Sequence, residues 1–345
     1  MNHIERMKTV LSGGIPDRIP VIAHNFLMAA REAGITQKQY RENPELAFKC
    51  MSAAVEKYDL DGVWFDIDTT LLASACGASV AYPEDLAAVV DGVQPRAIED
   101  LPAIVDQVDL LASERVRRYL ETVEMFVEWG NRTDRFIRVT AGQGPFSLAC
   151  LLTGMDEFMV DLADGEHDEA IFRLLDSTYR VSLAMHRLCH QKGVHMTGYG
   201  NSSEGCSVIS PRMFRKFSLK YEKQLAAQLK AEGILGNMCH ICGDVTPILK
   251  DLAETGCPAY EFDWKTDARK VFEIGYGKFV LSGNVDPALF SIGTPQDIFD
   301  RSVELCDLYR GKGGFILCSG CAIGPDGKPD CLRAMVRAAH ERGVS

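Results

Sequence analysis

The sequence predicts a parallel α/β protein laid out as a (β/α)8 TIM barrel with an insertion after the second strand. Three observations carry that prediction. Eight short apolar, β-branched runs alternate with longer segments whose apolar residues recur about every 3.6 positions. The length of 345 residues suits one barrel carrying an insertion. No Gly-rich dinucleotide fingerprint follows the first run, which weakens the competing layout, a doubly wound open sheet.

The expected strands are residues 19–26, 62–67, 136–141, 195–200, 237–242, 259–263, 279–283 and 315–319. Residues 78–135 hold helical and irregular pieces without a clear strand, and form the expected insertion. Residues 164–190 read as a long helical region, with Gly193 just past its end where a C-terminal cap belongs. Ser210-Pro211 supplies an N-cap and a first-turn proline for a helix over 211–231. Thr294-Pro295 does the same for Pro295–Tyr309. No linker rich in Pro, Gly or Ser interrupts the pattern, so residues 1–345 read as one domain.

Composition narrows the function classes. Hydrophobic residues make up 46% and charged residues 25%, a globular balance that argues against disorder. The net charge of −11 argues against a nucleic-acid partner and against an anionic membrane surface. No apolar run of about 18 residues spans a bilayer. The opening stretch MNHIERMKTVLSGG has no apolar signal core, so a cytoplasmic location is expected. Twelve cysteines in such a chain are expected to be reduced thiols, some of them metal ligands.

In a barrel, chemistry collects at the C-terminal ends of the strands. Polar residues at those ends include His24, Asn25, Asp66, Asp68, Asn201, Glu204, Asn284 and Asp286. Of these, His24, Asn25, Asn201, Glu204 and Asn284 are the candidate substrate-binding residues. Two ends carry soft ligands, Cys239-His240-Ile241-Cys242 and Cys318-Ser319-Gly320-Cys321. Alternate residues of a strand share a face, so His240 and Cys242 converge while Cys239 points away. With a thiol from the last segment, Cys318 or Cys321, they make a three-ligand set that suits Zn²⁺ with one position open. The competing reading is that these cysteines are buried small side chains. That reading is preferred for Cys50, Cys76, Cys150, Cys189, Cys206, Cys257, Cys306 and Cys331. His186 and His190 are spaced to share a helix face, expected to be solvated; His167 and His340 are expected at the surface.

Several segments together resemble the uroporphyrinogen decarboxylase superfamily. They are Ile15-Pro-Asp-Arg-Ile-Pro-Val21, Gly144-Pro145-Phe146 with residues 148–154, Gly283-Asn284-Val285-Asp286-Pro287, and residues 314–323. The likeness covers nearly the whole chain. Decarboxylases of the superfamily carry an arginine-rich loop after the first strand, which binds substrate carboxylates. Here that stretch reads Pro20-Val-Ile-Ala-His-Asn-Phe-Leu-Met-Ala29, with no arginine before Arg31. They also place a histidine near the end of the last strand, where this chain has Cys321. Asp68, or Asp66, falls near their catalytic aspartate.

The other branch of the superfamily holds zinc-dependent methyltransferases that work with corrinoid proteins, such as methylcobamide:coenzyme M methyltransferases. Their signature is H-x-C followed at long range by a Cys, and His240, Cys242 and Cys321 match it. Cys321 is preferred to Cys318 because the family's G-C pair aligns with Gly320-Cys321. The resemblance implies a Zn²⁺ cofactor, a methylcobamide or other corrinoid carried by a corrinoid-binding partner protein, and a small-molecule methyl donor or acceptor. The acceptor would be a thiol such as coenzyme M, or a tetrahydrofolate, and the direction of transfer is left open. Glu204 and Glu261 are the possible fourth ligands, Asp263 a further orienting carboxylate, and a homodimer the family's tendency. Two alternatives stand beside this reading: a metal-free porphyrinogen decarboxylase that uses Asp68, and a non-catalytic corrinoid- or zinc-binding accessory protein.

Overall fold

Seven strands form one parallel sheet in the order β1 (Gly62–Phe65), β4 (Phe136–Gln143), β5 (Met196–Asn201), β6 (Asn237–Ile241), β7 (Ala259–Phe262), β8 (Val280–Val285) and β9 (Phe315–Ser319). In the computed structural model, which describes residues 1–91, 97–234 and 236–343, these match seven of the eight expected runs. The eighth differs. Residues 19–26 make a single bridge, Val21 to Leu317, and a helix starts at Phe26. Pro20 has no N–H to give a ladder, so regular strand pairing is interrupted there.

The chain still closes the barrel at that place. Leu317 N–H donates to the Pro20 carbonyl (2.9 Å) and Ile22 N–H to the Leu317 carbonyl (3.2 Å). On the other side, Asp61 N–H donates to the Val21 carbonyl (2.8 Å), next to β1. Residues 20–22 thus fill the eighth position, between β9 and β1, and the fold is a TIM barrel.

Within residues 78–135, a two-stranded antiparallel ribbon pairs β2 (Val80–Ala81) with β3 (Val89–Val90). Helix Glu114–Thr133 then crosses back to β4 and packs on it. Residues 92–96 of this stretch lie outside the described residues. The helical region expected over 164–190 is one helix, Asp168–Gln191, preceded by a separate helix Met155–Asp164 that ends at Gly165, whose φ is +76°. The helix expected over 211–231 has one wide turn, Phe214–Ser218, of π type, which turns Phe214, Phe217 and Ser218 inward together. His186, expected on a solvated face, is buried, because that side of its helix lies on β5. Its Nδ1 sits 2.8 Å from Thr197 Oγ1, and burial lowers its pKa to about 3. No helix among the described residues is long and apolar enough to cross a membrane.

The barrel has two cores. One lies between sheet and helices; the other fills the lumen. The lumen core comprises Ile22, Trp64, Phe136, Met196, Met238, Ala259, Val280, Ile316 and Cys318, stoppered by Met7 and Val10 of helix His3–Leu11. Each large side chain fully buried there contributes roughly 1.5–3 kcal/mol of transfer free energy. Two residues further along, the same inward faces carry His24, Asp66, Arg138, His240 and Glu261. The lumen therefore changes from apolar to polar within one pleat, and that change places the site.

Candidate metal centre

At the C-terminal end of β6 the imidazole of His240 points into the lumen, and Cys242 follows on the same side. His240 Nε2 lies 3.1 Å from Cys242 Sγ and 3.7 Å from Cys321 Sγ. One ligand atom from each of the three residues falls within 4.8 Å of the other two. Cys321 reaches across from the β9 exit because Gly320 lets that loop run tight against β7. A Cβ at Gly320 would sit 2.6 Å from Trp264 N. Cys318, the other sulfur weighed for this place, stays lower in the apolar lumen, where burial holds its thiol protonated. Cys239 points outward, as the alternation of the strand requires, and accepts from Asn201 Nδ2 at 3.4 Å.

Two thiols and an imidazole nitrogen in contact distance fit Zn²⁺ by donor type and number. Glu261 Oε2 lies 2.8 Å from His240 Nδ1, close enough to hold a proton there but off the line of a well-aligned hydrogen bond. Burial by itself would lower the His240 pKa, yet Glu261 and Cys321 outweigh it and raise it. The Cys321 thiol is pushed up by its contact with Cys242 and by burial. A divalent cation would reverse both balances, since it favours thiolates and a neutral imidazole.

The cluster opens on a cavity of about 190 Å³. His24 forms one wall, stacked on Trp64 with ring centroids 4.2 Å apart and planes within 5°. Its Nε2 meets Asp66 Oδ2 at 3.2 Å. Asp68 also borders the cavity; its carboxylate is taken by Arg115 Nη2 at 2.5 Å and by the backbone and hydroxyl of Thr70. Phe26, Arg138, Thr140, Gln143 and Tyr199 complete much of the lining.

The other sequence candidates make their contacts elsewhere. Asn25 is buried at the start of helix Phe26–Glu32, and its Nδ2 has no acceptor among the described residues. Asn201 donates to Glu222 Oε1 at 2.9 Å, and Glu204 lies buried near Glu222 behind the strands. Asn284 donates to the carbonyls of Asp263 and Thr266 (3.2 and 2.7 Å). Asp263 accepts from Gly243 N–H and Lys265 N–H, so it braces the loop after Cys242. Asp286 caps its own loop through Ala288 N–H. Trp64 and Arg138 also border the cavity, and neither is marked by a motif in the sequence. A period-2 count along β4 would have found Arg138, since Phe136, Arg138 and Thr140 share the inward face.

The family model described as uroporphyrinogen decarboxylase (URO-D) matches residues 2–342. The chain belongs to the uroporphyrinogen decarboxylase family. Within this family its relatives carry two different names. It is 28% identical over 181 residues to methylcobamide:CoM methyltransferase MtbA of Methanosarcina acetivorans, covering 52% of this chain and 51% of that one. It is 30% identical over 210 residues to the uroporphyrinogen decarboxylase of Legionella pneumophila, covering 57% and 56%. The chain thus matches only about half the length of these curated relatives. Among solved structures, a methyltransferase from Methanosarcina mazei superposes with a TM-score of 0.88 at 23% identity, covering 99% of both chains. That agreement places this family member in the same barrel fold.

Proposed function

We propose that the protein is a zinc-dependent methyltransferase that moves a methyl group between a corrinoid-carrying partner protein and a small molecule. The observation that carries this reading is the convergence of His240, Cys242 and Cys321 beside a cavity at the C-terminal mouth of the barrel. The similarity to methylcobamide:CoM methyltransferase MtbA supports it. His240 Nε2 and the sulfurs of Cys242 and Cys321 would hold the metal. When bound, zinc would keep a substrate thiol deprotonated and nucleophilic at neutral pH.

The protein's own residues do the rest. Glu261 faces Nδ1, which fixes the tautomer that leaves Nε2 free toward the two sulfurs. The His24–Trp64 stack and Phe26 line the approach with apolar surface and exclude water from the reacting atoms. The cavity, about 190 Å³, is smaller than the ~300–1,000 Å³ typical of sites for drug-sized ligands. It suits a compact substrate.

The similarity to a uroporphyrinogen decarboxylase supports a second reading, metal-free decarboxylation with Asp68 in the acid role. Two observations weigh against it. The cavity is small for a tetrapyrrole, and Asp68 is already paired with Arg115. Metal analysis of the purified protein decides between the two. We expect about one zinc per chain, lost together with methyl transfer in His240→Ala and in the Cys242→Ala, Cys321→Ala double variant. Full zinc occupancy in that double variant would sink the assignment.

A further inference from the structure

The loop after β7, residues 263–267, is held between the two cysteine loops. On one side, Asp263 Oδ2 accepts from Gly243 N–H at 2.9 Å and Thr266 Oγ1 donates to the Gly243 carbonyl at 3.1 Å, next to Cys242. On the other, the Trp264 backbone packs against Gly320, next to Cys321, with no room for a Cβ. From behind, Asn284 donates to the carbonyls of Asp263 and Thr266, and Arg301 Nη2 donates to Asn284 Oδ1 at 3.2 Å. One short loop thus braces the surroundings of both cysteines.

Outside that loop lies a second cavity, of about 240 Å³, walled by helices Ala268–Gly275 and Pro295–Tyr309. None of its lining residues borders the cavity at the Cys/His cluster. Three cations surround it, Lys265, Arg269 and Arg301, against two carboxylates, Asp267 and Glu304. Both carboxylates are engaged. Glu304 accepts from Arg301 Nη1 at 3.0 Å, and Asp267 caps its helix through Arg269 N–H at 2.9 Å. Lys265 Nζ and the Arg269 guanidinium have no hydrogen-bond or ion-pair partner among the described residues. A cationic hollow on a chain of net charge −11 is a local trap for anions. Trp264 borders the same hollow and is 45% exposed, whereas Trp64 and Trp129 are buried.

We propose that this outer cavity is an effector site for a nucleoside monophosphate, coupled to the metal centre through residues 263–267. The two cations without partners match the charge of about −2 on a phosphate monoester, and would take it by charge-assisted hydrogen bonds. The exposed indole of Trp264 offers a flat face for the base. Zinc would fix Cys242 and Cys321, and with them the loop that walls the cavity, so the loaded protein presents a preordered site. By linkage the nucleotide then tightens zinc by the same factor. The coupling rests on zinc at the cluster, as in the proposed function; the nucleotide site itself does not.

The test is equilibrium binding to the full chain, by calorimetry and by tryptophan fluorescence, with protein loaded with zinc and dialysed free of unbound metal, and with metal-free protein. The probes are AMP, GMP, adenosine and inorganic phosphate. AMP or GMP should bind at least about tenfold tighter than adenosine or phosphate, the scale of a charge-assisted hydrogen bond. Binding should change an emission that Trp264→Phe removes. The Lys265→Gln, Arg269→Gln double variant changes two exposed side chains; it should keep its zinc and lose the advantage of AMP over adenosine. The metal-free protein should bind the nucleotide at least about fivefold more weakly, the low end of allosteric coupling. Equal affinity with and without zinc would overturn the coupling. The site is overturned if neither nucleotide binds, if the double variant binds AMP as the wild type does, or if adenosine or phosphate alone binds as tightly as AMP. Absence of zinc from the cluster would overturn the proposed function and the coupling with it, while the nucleotide arms still judge the site.

Discussion

Glu204 shows how much the surroundings of a single residue decide. Its position after β5 made it a possible metal ligand, but its carboxyl is buried near Glu222 with no aligned hydrogen-bond partner among the described residues. Glu222 has two, the Tyr199 hydroxyl at 2.7 Å and Asn201 Nδ2 at 2.9 Å. Burial, and then the neighbouring Glu222, pushes the Glu204 carboxyl well above the ordinary range. The folded state therefore keeps a proton that the unfolded state gives up. The stability tied to that proton is fully present below the unfolded value near 4.3, and is lost as pH rises toward the folded value. Glu204→Gln removes the titration. The variant and the wild type should melt together at pH 4.5, and the variant should melt higher by a few degrees at pH 8, at about 2–4 °C per kcal/mol for a chain of moderate size. Melting curves that keep one fixed separation at every pH would refute this account. The same residue scale divides the legible from the illegible in the sequence. His240 and Cys242 could be paired because alternation is local. The contact of Cys321 with them spans 81 positions and rested on resemblance. The burial of Glu204 had no local signal at all.

At the scale of elements, seven strands were legible because each is a short apolar run between turns, and their inward faces follow from period 2. The closing segment was legible too, as the expected run 19–26; its shortness and its tie to Asp61 were not, since these depend on Pro20 and on a side chain 40 residues along the chain. Asp61, just before β1, accepts from Arg6 Nη1 (2.6 Å), Arg18 Nη1 (2.8 Å) and Val21 N–H (2.7 Å), with His3 Nδ1 at 2.9 Å. It thus ties helix His3–Leu11, the closing segment and β1 together at the N-terminal end of the barrel. Burial would raise its pKa, but His3, Arg18 and the Val21 N–H outweigh that and lower it to about 2. The sign runs opposite to Glu204: this stability is present above the unfolded value near 3.9 and is lost as pH falls through about 2. Asp61→Asn keeps the shape and removes the charge, stranding Arg6 and Arg18. Its cost should be about 3 kcal/mol, as for other broken buried ion pairs. In urea titrations at pH 7 the midpoint should fall, and the gap to wild type should shrink at pH 2.5. A loss under 1 kcal/mol would mean that Arg6 finds enough compensation in Asp17, its other partner at 2.6 Å.

Over the whole molecule, the lumen is stacked in levels: a helical stopper, an apolar plug, a polar tier, then the Cys/His cluster at the mouth. This stacking separates what holds the barrel shut from what binds. Asp61 and the plug sit at the N-terminal end, where they secure the fold; the cluster sits at the far end, joining the exits of β6 and β9. A metal bound there would cross-link two strand ends distant in sequence, and would stabilise the native state by mass action, roughly 4 kcal/mol at a thousandfold excess over its dissociation constant. That figure is an upper bound, because twelve free cysteines also bind zinc in the unfolded chain. The metal-free barrel should therefore fold, held by its N-terminal tiers, and gain several degrees in Tm on addition of zinc. The Cys242→Ala, Cys321→Ala variant should melt close to the metal-free wild type and gain little from zinc. Calorimetric melts of the four samples check this. An equal zinc-dependent rise in the double variant would place the stabilising metal elsewhere. A wild type that unfolds on chelation would mean that the mouth, and not the closure at Asp61, holds the barrel together.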